Sequence, residues 1–153
     1  MEPIKINVPK GFKAAFDETK GEVSFEPLPK QVTERIKAVA DAIAELGDDD
    51  KDVQLLKRLD ESHGHLFFEQ QAIVITKALN EGWIPDWNNG QWDKWFIWFK
   101  MDASAGSGFA FLGGFDHWYT NSTVGSRLCF KSKALAEYAG KQFTDIYKKF
   151  MTI

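Results

Sequence analysis

The chain has 153 residues, 44% hydrophobic and 27% charged, with a formal net charge of −3; folding at this length removes roughly 70% of the unfolded surface from water, so a core needs no metal or disulfide staple. A single cysteine, Cys129, excludes an intrachain disulfide and points to a reducing compartment. No run approaches membrane-spanning length and MEPIKINVPKGF lacks the basic and apolar regions of a signal peptide, so neither is expected and the location read from the sequence is cytoplasmic.

Ile4, Ile6 and Val8 alternate with Lys5 and Asn7, and Val23 and Phe25 with Ser24 and Glu26; the pattern predicts two short strands joined by a polar loop, the second stopped by Pro27 and Pro29. From Gln31 to Leu46, Val32, Ile36, Val39, Ala40, Ile43 and Leu46 recur at helical spacing before Gly47, which predicts one helix with a glycine C-cap. Asp48 to Asp52 is a charged connector, and Val53, Leu55, Leu56 and Leu59 mark a short second helix ended by His63-Gly64. His65 to Glu81 is apolar on more than one side, as expected of a central helix. After Gly82 come the turn formers Pro85, Asn88, Asn89 and Gly90, then four short runs at 94–101, 108–112, 118–121 and 127–131 separated by small and polar residues; these predict a four-strand antiparallel meander. Ser132 is placed to cap a last helix whose face is Leu135, Ala139, Phe143, Ile146 and Phe150. The expected fold is one α+β domain over 1–153: the C-terminal meander and the short N-terminal strands packed on three to four helices.

Charge and aromatic content concentrate together. Residues 1–93 hold 11 Lys+Arg against 18 Asp+Glu, whereas 94–153 hold 8 against 4, and the segment EGWIPDWNNGQWDKWFIWFK (81–100) holds five of the six tryptophans. Side chains alternate across a strand, so Trp95, Ile97, Phe99 and Met101 share one face and Lys94, Phe96, Trp98 and Lys100 the other. The first set suits a core. The second places two rings between two ammonium groups, and Arg127 and Lys131 on the fourth expected strand extend it, a composition suited to stacking bases and meeting phosphates. The competing assignment is burial of Phe96 and Trp98 under the N-terminal strands, the 83–92 segment or a second subunit, since buried aromatics are the usual case. Trp83, Trp87 and Trp92 are assigned to the core edge.

Other chemistries fit the residues less well. His63 and His65 lack a third ligand at metal-site spacing and suit capping; Asp48, Asp50 and Asp52 open like a calcium loop, but Val53 and Leu59 occupy the positions that need glycine and glutamate. Gly106, Gly108, Gly113 and Gly114 complete no phosphate-binding fingerprint and suit hairpin turns. Cys129 with His117, or Asp116 with His117, forms no activated pair that the sequence supports with a third group. No enzyme, metal or cofactor is expected.

The segments KALNEGWIPDWNN (77–89), WYTNSTVGSRLCFKSKALAEYAGKQF (118–143) and IKINVPKGF (4–12) resemble a family of small uncharacterised proteins encoded in phages, prophages and mobile elements of gut Bacteroidetes. SRLCFKSKALAEYAGKQF is the most distinctive part of the resemblance, which is strongest from Lys77 onward. It implies a phage or mobile-element protein acting in a bacterial cytoplasm and carries over no catalytic residue. Two functions follow as expectations: non-catalytic binding of single-stranded nucleic acid or a nucleotide on the Lys94, Phe96, Trp98, Lys100, Arg127 and Lys131 face, or interaction with a host or phage protein through the same surface.

Overall fold

The computed structural model describes residues 7–8, 12–27, 30–101, 110–118, 120 and 122–152, with the backbone only at 13 and 110–118. The chain divides into two compact units, Met1–Gln31 and Val32–Ile153.

The first unit contains a hairpin of β1 (Phe12–Asp17) and β2 (Glu22–Pro27), with Phe12 opposite Pro27 and Asp17 opposite Glu22. Asp17 makes the turn: its Oδ1 accepts from the backbone N–H of Thr19 at 2.9 Å, and Gly21, at φ 68°, donates to Asp17 O at 2.7 Å. A side chain that mimics a backbone turn and a glycine free to take positive φ are what a tight reversal requires. The expected second strand is β2. Its partner is 12–17, part of the expected polar loop, where two alanines blur the alternation; of the strand expected at 4–8, residues 4–6 lie outside the described residues and Val8 is not in a strand.

The second unit is helical around one long element. The helix expected over 31–46 is broken into α1 (Val32–Arg35) and α2 (Val39–Leu46). Asp41 Oδ2 accepts from the N–H groups of Lys37 and Ala38, at 2.9 Å each, and restarts the helix there. The carbonyls released at the break are taken from outside, Ile36 O by Tyr138 Oη at 2.7 Å and Lys37 O by Gln142 Nε2 at 2.9 Å. α3 (Lys51–Leu56) begins at Asp50, whose Oδ1 accepts from Asp52 and Val53 N–H. α4 (His65–Leu79) is the central helix its sequence announced: Ile73 and Val74, outside the main apolar stripe, are buried like Ala72 and Ile75 within it. Ser132 Oγ caps α5 (Lys133–Gln142) through Leu135 N–H, and a break at buried Phe143 separates α6 (Thr144–Met151). Val53, Leu56, Ile75, Leu79, Phe130, Leu135, Ala139 and Tyr147 join in one core.

The four-strand meander does not form. β3 (Lys94–Lys100) pairs antiparallel with β4 (Ala110–Trp118), a two-stranded ladder, and the hairpin of the first unit is a second one. Six α-helices and these small antiparallel ladders make the fold α+β among the described residues. Two expected strands, 108–112 and 118–121, give way to the single strand β4, because Gly113-Gly114, read as a turn, lies where the ladder shifts register: Ile97 faces Phe115 but Phe99 faces Phe111. Glycine within a strand accommodates such an irregularity without a turn. Residues 108, 109, 119 and 121 lie outside the described ones. The fourth strand fails for a different reason. Ser126–Leu128 is a 3-10 helix, and only Phe130 pairs with β3, exchanging both backbone bonds with Trp95 at 2.7 and 3.0 Å. On its other side the buried side chain of Asn80 replaces a strand, donating to Cys129 O at 2.8 Å and accepting from Lys131 N–H at 3.0 Å.

Candidate functional site

The register of β3 is the one expected, but its outer face is not a platform. Trp95, Ile97 and Phe99 pack on the helical core, and the Phe99 ring lies 5.1 Å from that of Tyr147; Met101 is exposed. Opposite them, Lys94 is wholly buried: its Nζ donates to Asn89 O at 2.7 Å and lies 5.6 Å from the centre of the Trp87 ring. Trp87 is itself fixed by a bond from Nε1 to Ser126 Oγ at 2.7 Å. Phe96 is buried as well, while Trp98, 6.2 Å from it ring to ring, is 49% exposed and Lys100 half-buried. Arg127 is exposed on the 3-10 helix, and Lys131 is ion-paired to Glu81 at 2.8 Å. Of the six residues expected on one face, the structure buries Lys94 and Phe96, keeps Trp98 and Lys100 beside them on β3, and places Arg127 on a 3-10 helix and Lys131 next to the single Phe130 bridge.

What the structure assembles instead is a cleft of about 340 Å³ lined by Trp83, Trp92, Trp95, Lys131, Lys133, Gln91, Asp93 and Ser132. Its geometry follows from the chain path. α4 ends at Asn80, Glu81 takes φ 49° and Gly82 φ 81°, and this left-handed pair turns the chain so that Trp83 returns toward β3. The 89–92 turn, in which Asn89 Oδ1 accepts from Gln91 N–H, brings Trp92 to the same place. The Phe130 bridge and the Ser132 cap bring Lys131 and Lys133 to the same opening. Trp92 is 48% exposed and Trp83 half-buried, so indole surface is open to a ligand. Sequence reasoning saw these tryptophans but assigned them to the core edge, and it passed over Lys133; the usable signal was FKSK, a basic pair astride a helix cap.

Electrostatics hold the cleft wall in place. Arg35 binds Glu45 through two nitrogens, at 2.7 and 3.2 Å, and Glu81 at 3.0 Å; Glu81 in turn binds Lys131. Lys131 and then Arg35 hold the Glu81 carboxyl below its ordinary range. The strained backbone at Glu81 places its carboxylate between the two cations, and sparsely populated conformations of this kind persist where surrounding contacts fix them.

His63 has the capping role expected of it, accepting from Asp60 N–H at 3.2 Å. Cys129 is buried, and burial pushes its thiol up to about 11, far from the thiolate a nucleophile needs. The side chains of Asp116 and His117 lie outside the described residues. Among the described residues no three His, Cys, Asp or Glu side chains gather as metal ligands, and no helix is long and apolar enough to cross a membrane. Compared with protein families, curated proteins and solved structures, the chain matches none.

Proposed function

We propose that the protein is a non-catalytic binder of a nucleotide or single-stranded nucleic acid, acting in the phage or mobile-element setting its sequence resemblance implies, and that the tryptophan cleft is the site. The observation that carries this reading is the convergence of Trp83, Trp92 and Trp95 with Lys131 and Lys133 around one opening. Indole faces stack on any base, ammonium groups meet phosphate, and Gln91 offers both a donor and an acceptor to a base edge. Tryptophan emission reports directly on such a site: short single strands should quench it at low salt, and Trp92→Ala should weaken binding by about 1 to 3 kcal/mol. Lys133→Ala should reduce the dependence of affinity on salt by about 0.7 in log–log slope. Absence of quenching and of any mobility shift at low salt overturns the reading.

A second reading, interaction with a host or phage protein, draws on the hairpin of the first unit. Its register puts Phe12, Ala14, Phe16, Val23, Phe25 and Pro27 on one face, all exposed, with Phe16 at 63%. A contiguous apolar face of this kind is characteristic of protein contacts. Phe16→Ser together with Phe25→Ser should then abolish capture of a specific partner while leaving nucleotide binding intact; retained capture rejects the hairpin as the contact.

A further inference from the structure

We infer that the ligand of the tryptophan cleft is an extended single strand several nucleotides long, running from Lys133 across Trp83 to Arg127, rather than a mononucleotide; this rests on the binding function proposed above and narrows its ligand. Trp83 also lines a groove of about 180 Å³ with Thr76, Asn80, Ile84, Pro85 and Arg127, so one indole borders both openings. A mononucleotide, with one base and one phosphate, is satisfied by the first cleft alone and leaves the second without a role.

Arg127 marks the far end. Its side chain is exposed and makes no hydrogen bond or ion pair among the described residues, and its neighbour Ser126 is tied on both sides: Ser126 Oγ accepts from Trp87 Nε1, and Cys129 Sγ lies 3.6 Å from Ser126 O. Just upstream, Ser122 Oγ accepts from Val124 and Gly125 N–H. A guanidinium presented from an ordered turn suits bidentate contact with a phosphate oxygen pair. The acid that borders this groove, Asp52, is already bound to Lys77 at 2.6 Å. Beyond Arg127 a third opening of about 400 Å³ is bordered by Glu69, a like charge to phosphate that ends the favourable path. Cation, indoles and cation in sequence therefore describe a strand of limited length, its bases on Trp92 and Trp83 and its phosphates at Lys133 and Arg127.

The test is a length series read by tryptophan quenching: thymidine monophosphate, then thymidylate oligomers of two, four and eight, with a uridylate tetramer to tell DNA from RNA. Affinity should rise by about tenfold with each added stacked base and level off by the tetramer. Arg127→Ala should lower tetramer affinity and reduce its salt slope by about 0.7, while monophosphate binding stays unchanged. Preference for either tetramer supports the strand and assigns its sugar. Monophosphate binding as tight as that of the tetramer, or a tetramer indifferent to Arg127→Ala, overturns the inference and leaves the cleft as a nucleotide site. No binding by any probe overturns both.

Discussion

Lys94 shows how one residue can remove a surface that alternation places on a strand. Position 94 lies on the outer side of β3 as its parity requires, but Asn89 O accepts the ammonium proton and Trp87 covers it, so the charge is enclosed rather than presented. A lysine enclosed in this way holds the 87–89 turn against the sheet, and truncating it leaves both a cavity and an orphaned carbonyl. Lys94→Ala should cost about 2 to 4 kcal/mol in chemical denaturation and Lys94→Met, which keeps the stem, clearly less; equal and negligible losses would place the side chain in solvent. The same enclosure explains Cys129. With its thiol pushed up to about 11 by burial, a thiol reagent at neutral pH should label the native protein only at the rate of opening, and rapid stoichiometric labelling would show that the segment around Phe130 is not closed.

At the scale of elements, periodicity predicted what depends on local pattern and failed where a side chain from elsewhere settled the outcome. α4 and the start of α5 were legible because Gly64 and Ser132 stand at their boundaries and the apolar spacing matches the buried faces, whereas the second helix begins at Asp50, inside the expected connector, and ends at Leu56 rather than at His63-Gly64, with Leu55 exposed. The break at Ile36 was not, since Asp41, Tyr138 and Gln142 create it together. Nor was the loss of the fourth strand, because nothing local in RLCFK announces that Asn80, some fifty residues earlier, will occupy its edge. The candidate site follows the same division: the tryptophans and Lys131 were visible, but their grouping required the left-handed turn at Glu81 and Gly82.

The junction of α3 and α4 supports a prediction in pH. Lys77 Nζ lies 2.7 Å from Asp50 Oδ2 and 2.6 Å from Asp52 Oδ2. Burial alone would raise the Asp50 carboxyl, but the Lys77 ammonium and the N–H groups of Asp52 and Val53 outweigh it and hold it below its ordinary range. A depressed folded-state pKa means that the contribution is full above the ordinary aspartate value and is lost as pH falls through the folded one. Asn caps a helix about as well as Asp, so Asp50→Asn removes the charge and keeps the cap. It should cost about 1 kcal/mol at pH 7, screened by the partial exposure of Lys77, and the difference from the parent protein should vanish in acid. A difference that persists at pH 2 would assign the loss to the cap instead.

For the whole molecule, half of the eight cations of residues 94–153 are enclosed or engaged locally. Lys94 is enclosed, Lys131 and Lys141 are paired with Glu81 and Glu137, and Lys149 lies 4.8 Å from the centre of the Phe68 ring. The cohesion of the chain is equally uneven. The second unit has a continuous core whose innermost residues, such as Ile36, Val53, Ile75 and Phe130, are fully buried, whereas the hairpin of the first has one ladder and an apolar face of exposed residues. A two-stranded hairpin is marginal in water without a covering layer, so its hydrogen bonds should open far more often than those of α4. Amide hydrogen exchange on the intact protein at low concentration should find the β1 and β2 amides exchanging orders of magnitude faster than those of Ile73 to Leu79. Equal protection would mean that the Phe12, Phe16, Val23 and Phe25 face is covered in solution, and dilution would then identify the cover, since protection that falls with concentration belongs to a second copy and protection that does not belongs to the chain itself.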